Sequence, residues 1–125
     1  MRGRVKVFFD GGWRPATGME TAVVVRGKEY VRHGLGPGTS LEAEWRALIH
    51  AVEVACELEL ADAVFLGDSL AVISQASGTV ACRGTGLNHL QALSALGRLP
   101  NSLRLRHVRR AQNLAGIALA RLHER

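Results

Sequence analysis

The sequence predicts a single α/β domain with a mixed five-stranded sheet that carries helices on both faces. Three strand-like segments joined by tight turns open the chain, and helical and strand-like segments alternate after them. A meander of strands followed by α/β alternation produces a sheet of this kind. A chain of 125 residues is long enough for one hydrophobic core and too short for two, so we expect one domain over residues 1–125.

Five segments are typical of strands, because apolar residues alternate or run together in them between turn-forming residues. They are Val5–Asp10, Thr21–Arg26, Glu29–Leu35, Ala63–Gly67 and Leu103–Val108. The fourth is an apolar run that ends in glycine, which is typical of a buried strand. The first is expected to end at its carboxylate, because two glycines follow it.

Four segments are typical of helices, since apolar residues recur in them at a spacing of three or four. They cover residues 39–58, 68–78, 87–96 and 111–123. Thr39 is placed to cap the first of them, with Glu42 as its capping-box partner. The resulting element order is β-β-β-α-β-α-α-β-α.

The bulk composition indicates a globular protein in a reducing compartment. Hydrophobic residues make up 47% and charged residues 22% of the chain, which excludes wholesale disorder. No apolar run approaches the length that crosses a membrane. Cys56 and Cys82 form neither a zinc pattern nor a disulfide framework, so we expect a cytoplasmic location. Cys56 lies among apolar helical residues and is expected to be a small core residue.

The positive charge is concentrated at the end of the chain. The formal net charge is +5, and the segment from Arg98 to Arg125 holds seven arginines and one acidic residue. Such a segment suggests a polyanionic partner, with a solvated basic face as the alternative. Arg104 and Arg106 alternate with leucines on the predicted last strand and therefore point to one face.

Three acidic residues lie at positions from which they can meet. Asp10 ends the first strand, Asp68 follows the fourth strand, and Glu44 lies near the start of the first helix. The carboxyl ends of neighbouring strands in an open α/β sheet commonly form a ligand site, and oxygen-only ligands suit Mg²⁺ or Mn²⁺. The residues alone leave other interpretations open: Asp10 as a turn residue, Asp68 as a helix cap, and Glu44 as a partner of the helix dipole.

Four segments resemble the motifs of type 1 ribonuclease H, in the same order and at matching spacing. They are VFFDGG at 7–12, TSLEAEWRALIHAV at 39–52, FLGDSLAVISQ at 65–75 and HVRRAQNLAGIALA at 107–120. The resemblance covers essentially the whole chain. It implies that family's fold and hydrolysis of the RNA strand of RNA/DNA hybrids with two Mg²⁺ or Mn²⁺ ions. Carried over by position, Asp10 bridges the ions, and Glu44 and Asp68 hold one of them.

The last motif departs from the family at one position. The family has an Asp four residues after the matching Asn113, and this Asp helps to hold the ion that activates the attacking water. Here the position is occupied by Ile117, which cannot ligate a metal. Asn113 lies one helical turn earlier on the same face, where it either offers a neutral oxygen or caps the helix. His107 either approaches the site or remains an ordinary strand residue.

The expected partner is nucleic acid, with an RNA/DNA hybrid as the first candidate. No protein partner can be inferred from the sequence. The candidate nucleic-acid contacts are Arg83, Arg104, Arg106, Arg109, Arg110 and Asn113. Trp13 either stacks on a sugar or packs on the core, with packing expected, and Trp45 is expected in the core. Three functions are consistent with the sequence: a hybrid-cleaving endonuclease, a non-catalytic nucleic-acid-binding module, and a related nuclease acting on double-stranded RNA or a structured DNA end.

Overall fold

The computed structural model describes residues 4–78, 88–89, 91–92 and 103–123. Its sheet has five strands in the spatial order β3-β2-β1-β4-β5. The strands are β1 (Val5–Arg14), β2 (Gly18–Val25), β3 (Lys28–Arg32), β4 (Ala63–Gly67) and β5 (Leu105–His107). β2 is antiparallel to β1 and β3, whereas β4 is parallel to β1 and β5. The predicted mixed sheet of five strands is therefore confirmed.

Three helices are bounded within the described residues. They are α1 (Ser40–Glu57), α2 (Leu70–Ala76) and α3 (Leu114–Leu122), and a single 3₁₀ turn at Arg110–Gln112 precedes α3. Residues 88–89 and 91–92 are also helical, inside the predicted third helix, whose other residues lie outside the described part of the chain. None of the helices in the described residues is both long and apolar enough to cross a membrane.

The two faces of the sheet are covered by different helices because successive residues of a strand point to opposite sides. Val7 and Phe9 of β1 belong to the main core, together with Trp45 and Leu48 of α1. On the other face, alternate residues of β2 form a smaller apolar cluster with α3, and its members are Ala22, Val24, Ala115, Ala118 and Leu119. The prediction of helices on both faces is thus confirmed, and Trp45 lies in the core as expected.

β1 continues four residues beyond its predicted end. Gly11 pairs with Thr21 and Trp13 pairs with Met19, so the cross-strand hydrogen bonds of β2 outweigh the low strand propensity of the two glycines. Asp10 therefore lies inside a strand and is not a turn residue. The parallel register places the end of β4 beside Asp10, since Phe8 pairs with Leu66.

The N-terminus of α1 is capped as predicted, and the start of the last helix differs from the prediction. The Thr39 hydroxyl accepts a hydrogen bond from the Glu42 backbone N–H at 3.0 Å. The last helix begins at Leu114, because residues 110–112 form the 3₁₀ turn and Asn113 takes the cap position. Ser69, and not Asp68, caps α2 through its hydroxyl.

Two core predictions were wrong. Cys56 is exposed, because it lies in the last turn of α1 beyond the face that packs on the sheet. Trp13 is 39% exposed, because the extra residues of β1 carry it past the end of the core. Cys82 lies outside the described residues.

Candidate metal centre

Asp10, Glu44 and Asp68 converge where β4 ends, beside the middle of β1. One ligand oxygen from each of them can be chosen so that all three lie within 4.8 Å of one another. β1 and β4 are adjacent and parallel, which brings the two aspartates together, and α1 lies over the same edge and supplies Glu44. The predicted convergence is present, and the roles of these residues in metal binding and catalysis stay predictions.

Gly11 explains how α1 brings Glu44 to this edge. A Cβ atom at position 11 would lie 2.1 Å from the carbonyl oxygen of Ala43, so only glycine allows the helix backbone to lie this close to the strand. The Gly11 backbone N–H donates to Glu44 Oε1 at 3.0 Å. Glu44 thus makes a specific contact across the site, beyond any interaction with the helix dipole.

Asn113 links α3 to the carboxylates from the opposite side. Its Oδ1 accepts from the Ala115 N–H at 3.1 Å, as a helix cap, and its Nδ2 donates to Asp68 Oδ2 at 2.9 Å and to the Phe9 carbonyl at 3.0 Å. The capping interpretation is confirmed. The amide oxygen faces the Ala115 N–H and the NH₂ group faces Asp68, so in this arrangement the oxygen is not directed at the carboxylates. The side chain is completely buried, and its contact with nucleic acid stays a prediction.

Burial and the proximity of the carboxylates raise the pKa values of Asp10 and Glu44. Burial, followed by the negative charge of Asp68, raises the pKa of Asp10 to about 7, although the nearby Arg110 opposes the shift. Burial, followed by the charge of Asp10, raises the pKa of Glu44 to about 8. Like charges held this close need protons or a cation to balance them, and a hard divalent cation suits an oxygen-only donor set. The residues present therefore fit Mg²⁺ or Mn²⁺.

A cavity of about 350 Å³ opens beside the carboxylates and shows which basic residues are near. Asp10, Glu44, Trp13 and Arg110 are among its lining residues, so Arg110 is the predicted contact that lies next to the carboxylates. Trp13, predicted to pack on the core, instead presents an exposed aromatic ring at this cavity.

The other predicted arginine contacts lie in different surroundings. Arg106 and Arg109 are exposed, and Arg83 lies outside the described residues. Arg104 forms an ion pair of 3.0 Å with Asp62, which precedes β4. Because Asp68 follows the same strand, Arg104 is at the far end of β4 from the carboxylates.

His107 takes up one of the alternatives that the sequence left open, and Ile117 lies at the surface. His107 Nε2 lies 3.2 Å from the backbone carbonyl of Asp68, so it approaches the site through the main chain. Ile117 is 43% exposed on α3. Among the described residues, the candidate metal group contains the three carboxylates alone, and no fourth acidic residue joins them.

A contact between the buried Glu20 carboxylate and the partly exposed His123 could not be seen in the sequence. Glu20 is 3% exposed, and both of its oxygens lie within hydrogen-bonding distance of His123 Nε2, at 2.6 and 2.9 Å. Glu20 also lines the cavity beside Asp10 and fixes the end of α3 on β2. The only signal in the sequence was a charged residue in phase with the apolar residues of β2, and its partner is more than a hundred positions away.

The mixed sheet, the helices on both faces and the acidic residues on β1 and after β4 define a ribonuclease H-like fold. A family model described as reverse transcriptase-like matches residues 9–123, and the chain belongs to this family. The type 1 ribonuclease H fold implied by the sequence motifs is therefore confirmed. No curated protein matches the chain at a significant level.

Solved structures of ribonucleases H share this fold over nearly the whole chain. RNase H1 from the halophilic archaeon Halobacterium salinarum is 28% identical, with a TM-score of 0.74 and 94% of each chain covered. The N-terminal RNase H domain of rv2228c from Mycobacterium tuberculosis is 26% identical, with a TM-score of 0.74, and 98% of this chain and 100% of that chain are covered. LC11-RNase H1 in complex with an RNA/DNA hybrid is 20% identical, with a TM-score of 0.72 and 88% of each chain covered.

Proposed function

We propose that this protein is a metal-dependent endoribonuclease that hydrolyses the RNA strand of RNA/DNA hybrids by a two-metal-ion mechanism. The observation that carries the proposal is the convergence of Asp10, Glu44 and Asp68 where β4 ends beside its parallel neighbour β1. Similarity to RNase H1 structures supports it, and LC11-RNase H1, which shares the fold, was solved with an RNA/DNA hybrid bound.

Mg²⁺ or Mn²⁺ held by these carboxylates would supply an activated water and would stabilise the leaving oxygen of the phosphodiester. The protein's own contribution is to hold the ligands in place. The Gly11 N–H restrains Glu44, and the Asn113 amide restrains Asp68. In the absence of a cation, the raised pKa values of Asp10 and Glu44 keep protons at the centre, so a cation must displace them.

Arg110 is the best candidate for a contact with the substrate backbone. It lines the cavity beside Asp10 and Glu44, where a guanidinium group can bind a phosphate through two hydrogen bonds. Arg106 and Arg109 are exposed on the adjoining segment and extend the positive charge. Discrimination of a hybrid would rest on groove shape and on 2′-hydroxyl contacts, since phosphate contacts carry no sequence information.

The decisive test is cleavage of a labelled RNA/DNA hybrid by the wild-type protein and by Asp10→Asn in the presence of Mg²⁺ or Mn²⁺. We expect metal-dependent internal cleavage of the RNA strand and its loss in the variant. Asp62→Asn is a matched control, because Asp62 is an exposed carboxylate at the other end of β4, and it should cleave like the wild type. Double-stranded RNA and DNA of the same sequence, assayed in parallel, separate a hybrid-specific nuclease from a related one.

A second candidate function, a non-catalytic nucleic-acid-binding module, is favoured by Ile117 and by the net charge of +5. It predicts hybrid or duplex binding that weakens linearly on a log–log plot against salt concentration, without hydrolysis. Wild-type cleavage that Asp10→Asn abolishes would exclude this module. If high concentrations of protein and Mn²⁺ give no cleavage while hybrid binding is intact, the endonuclease proposal is wrong and the module is the better description.

A further inference from the structure

Asn113 occupies the point where three elements of the fold meet. It precedes α3, and its side chain reaches the Phe9 carbonyl in β1 and the Asp68 carboxylate after β4. Phe9 is the residue before Asp10, so one amide group contacts both strands that carry the aspartates. The side chain is fully buried, which makes each of these hydrogen bonds costly to lose.

The three hydrogen bonds fix the orientation of the amide. Oδ1 accepts from the Ala115 N–H, while the two Nδ2 hydrogens are shared between Asp68 Oδ2 and the Phe9 carbonyl. A flipped amide would place its oxygen against two acceptors and its NH₂ group against a donor. The group that Asn113 presents to the carboxylates is therefore a donor, and it cannot serve as a metal ligand in this arrangement.

We propose that Asn113 is a positioning residue that orients Asp68 for binding of the divalent cation. The inference rests on the proposed function, because it assigns Asp68 as a metal ligand. A hydrogen bond to an ionised carboxylate is stronger than one between neutral groups, and a carboxylate held through one oxygen has fewer orientations to search before it binds a cation. In this chain α3 thus acts on the centre through a neutral amide, at a site where position 117 offers no carboxylate.

The neutral charge of the amide matters at this position. Asp10, Glu44 and Asp68 lie close enough for their negative charges to repel one another. Asn113 restrains Asp68 without adding a further negative charge and without the positive charge of a lysine or arginine, which would compete with a bound cation. An amide is therefore suited to hold a metal ligand within a cluster of like charges.

The test measures Mn²⁺ affinity by calorimetry in the absence of nucleic acid, for the wild type and for Asn113→Ser. Serine is as good a helix cap as asparagine and carries no charge, but its hydroxyl is too short to replace both amide contacts. We expect Asn113→Ser to remain folded and to bind Mn²⁺ about 10- to 100-fold more weakly. Thr39→Ala is the control, because it removes the cap of α1 and makes no hydrogen bond to the three carboxylates, so its affinity should stay near the wild-type value.

A measurement on the wild type covers the case in which Asn113→Ser does not fold. During titration with Mg²⁺, the side-chain amide resonances of Asn113 should shift with the same midpoint as the backbone amide of Asp68. Wild-type Mn²⁺ affinity in folded Asn113→Ser, or amide resonances that Mg²⁺ does not move, would overturn the inference. If the wild type binds no Mn²⁺ at all, both this inference and the proposed metal centre are wrong. If it binds Mn²⁺ and cleaves no hybrid, only the proposed function fails.

Discussion

Replacement of Asp10 by asparagine is expected to stabilise the metal-free protein at the same time as it removes metal binding. Burial and the charge of Asp68 raise the pKa of Asp10 from 3.8 to about 7. One pKa unit corresponds to about 1.4 kcal/mol, so the whole shift would amount to about 4 kcal/mol for an isolated group. Because Asp10 shares its protons with Glu44, we expect roughly half of this, about 2 kcal/mol, to be recovered by the substitution.

The size of the effect depends on pH. Well below the unfolded pKa of 3.8, the Asp10 carboxyl is neutral in the folded and the unfolded state, and its burial carries no electrostatic cost. Between pH 4 and 7 the unfolded state ionises first, so the free energy of unfolding falls as pH rises, and the cost is complete above pH 7. The advantage of Asp10→Asn should therefore be near its full value at pH 8 and small at pH 4.5.

Thermal and urea unfolding in EDTA at these two pH values measure this difference. A gain of about 2 kcal/mol corresponds to a rise in Tm of about 8 °C for a domain of this size. Addition of Mn²⁺ at a hundred times its Kd should stabilise the wild type by about 2.7 kcal/mol and leave the variant unchanged. The wild type should then be more stable than Asp10→Asn. An Asp10→Asn variant that is no more stable than the wild type at pH 8 in EDTA would refute the electrostatic account of the centre.

Three further substitutions test other parts of the structure. Gly11→Ala should destabilise the fold by roughly 2 kcal/mol or more and weaken Mn²⁺ binding, because its Cβ would collide with the Ala43 carbonyl. Urea unfolding measures the loss of stability, and calorimetry measures the loss of Mn²⁺ affinity. His123→Ala should cost about 3 kcal/mol in urea unfolding, because it removes the main partner of the buried Glu20 carboxylate, and Glu20→Gln in the same background should recover most of this. Ile117→Asp should increase Mn²⁺ affinity and the rate of hybrid cleavage, and unchanged values for both would show that position 117 does not face the centre.

The sequence predicts the fold well because its signals are local and repeated. The fourth strand, Ala63–Gly67, and the cap of α1 at Thr39 match the structure to the residue. Both are short-range features, one a bounded apolar run and the other a cap that bonds three positions away. The predicted end of β1 at Asp10 was wrong for the opposite reason. Gly11 is extended because β2 forms hydrogen bonds with it, and such a distant partner strand cannot be identified from neighbouring residues alone.

The candidate site shows the same division between local and distant information. The convergence of Asp10, Glu44 and Asp68 could be predicted because each was expected near the end of a regular element, and the resemblance selected Glu44, the glutamate that lies beside the two aspartates. The contacts of the Asn113 amide with Phe9 and Asp68 could not be predicted, because these residues lie 104 and 45 positions earlier in the chain. Arg104 likewise appeared equivalent to Arg110 in sequence, and only the pairing of β4 with β5 separates them.

The isoleucine at position 117 is best understood through the charge balance of the centre. If position 117 faces the centre, a carboxylate there would add a fourth negative charge to three that already repel one another, and it would lower the stability of the metal-free protein further. Ile117 adds no such charge, and in that case it also offers no ligand to a cation. Since α3 still approaches Asp10 closely at Gly116, the helix keeps its place beside the centre. Its remaining influence on the carboxylates is exerted through the amide of Asn113.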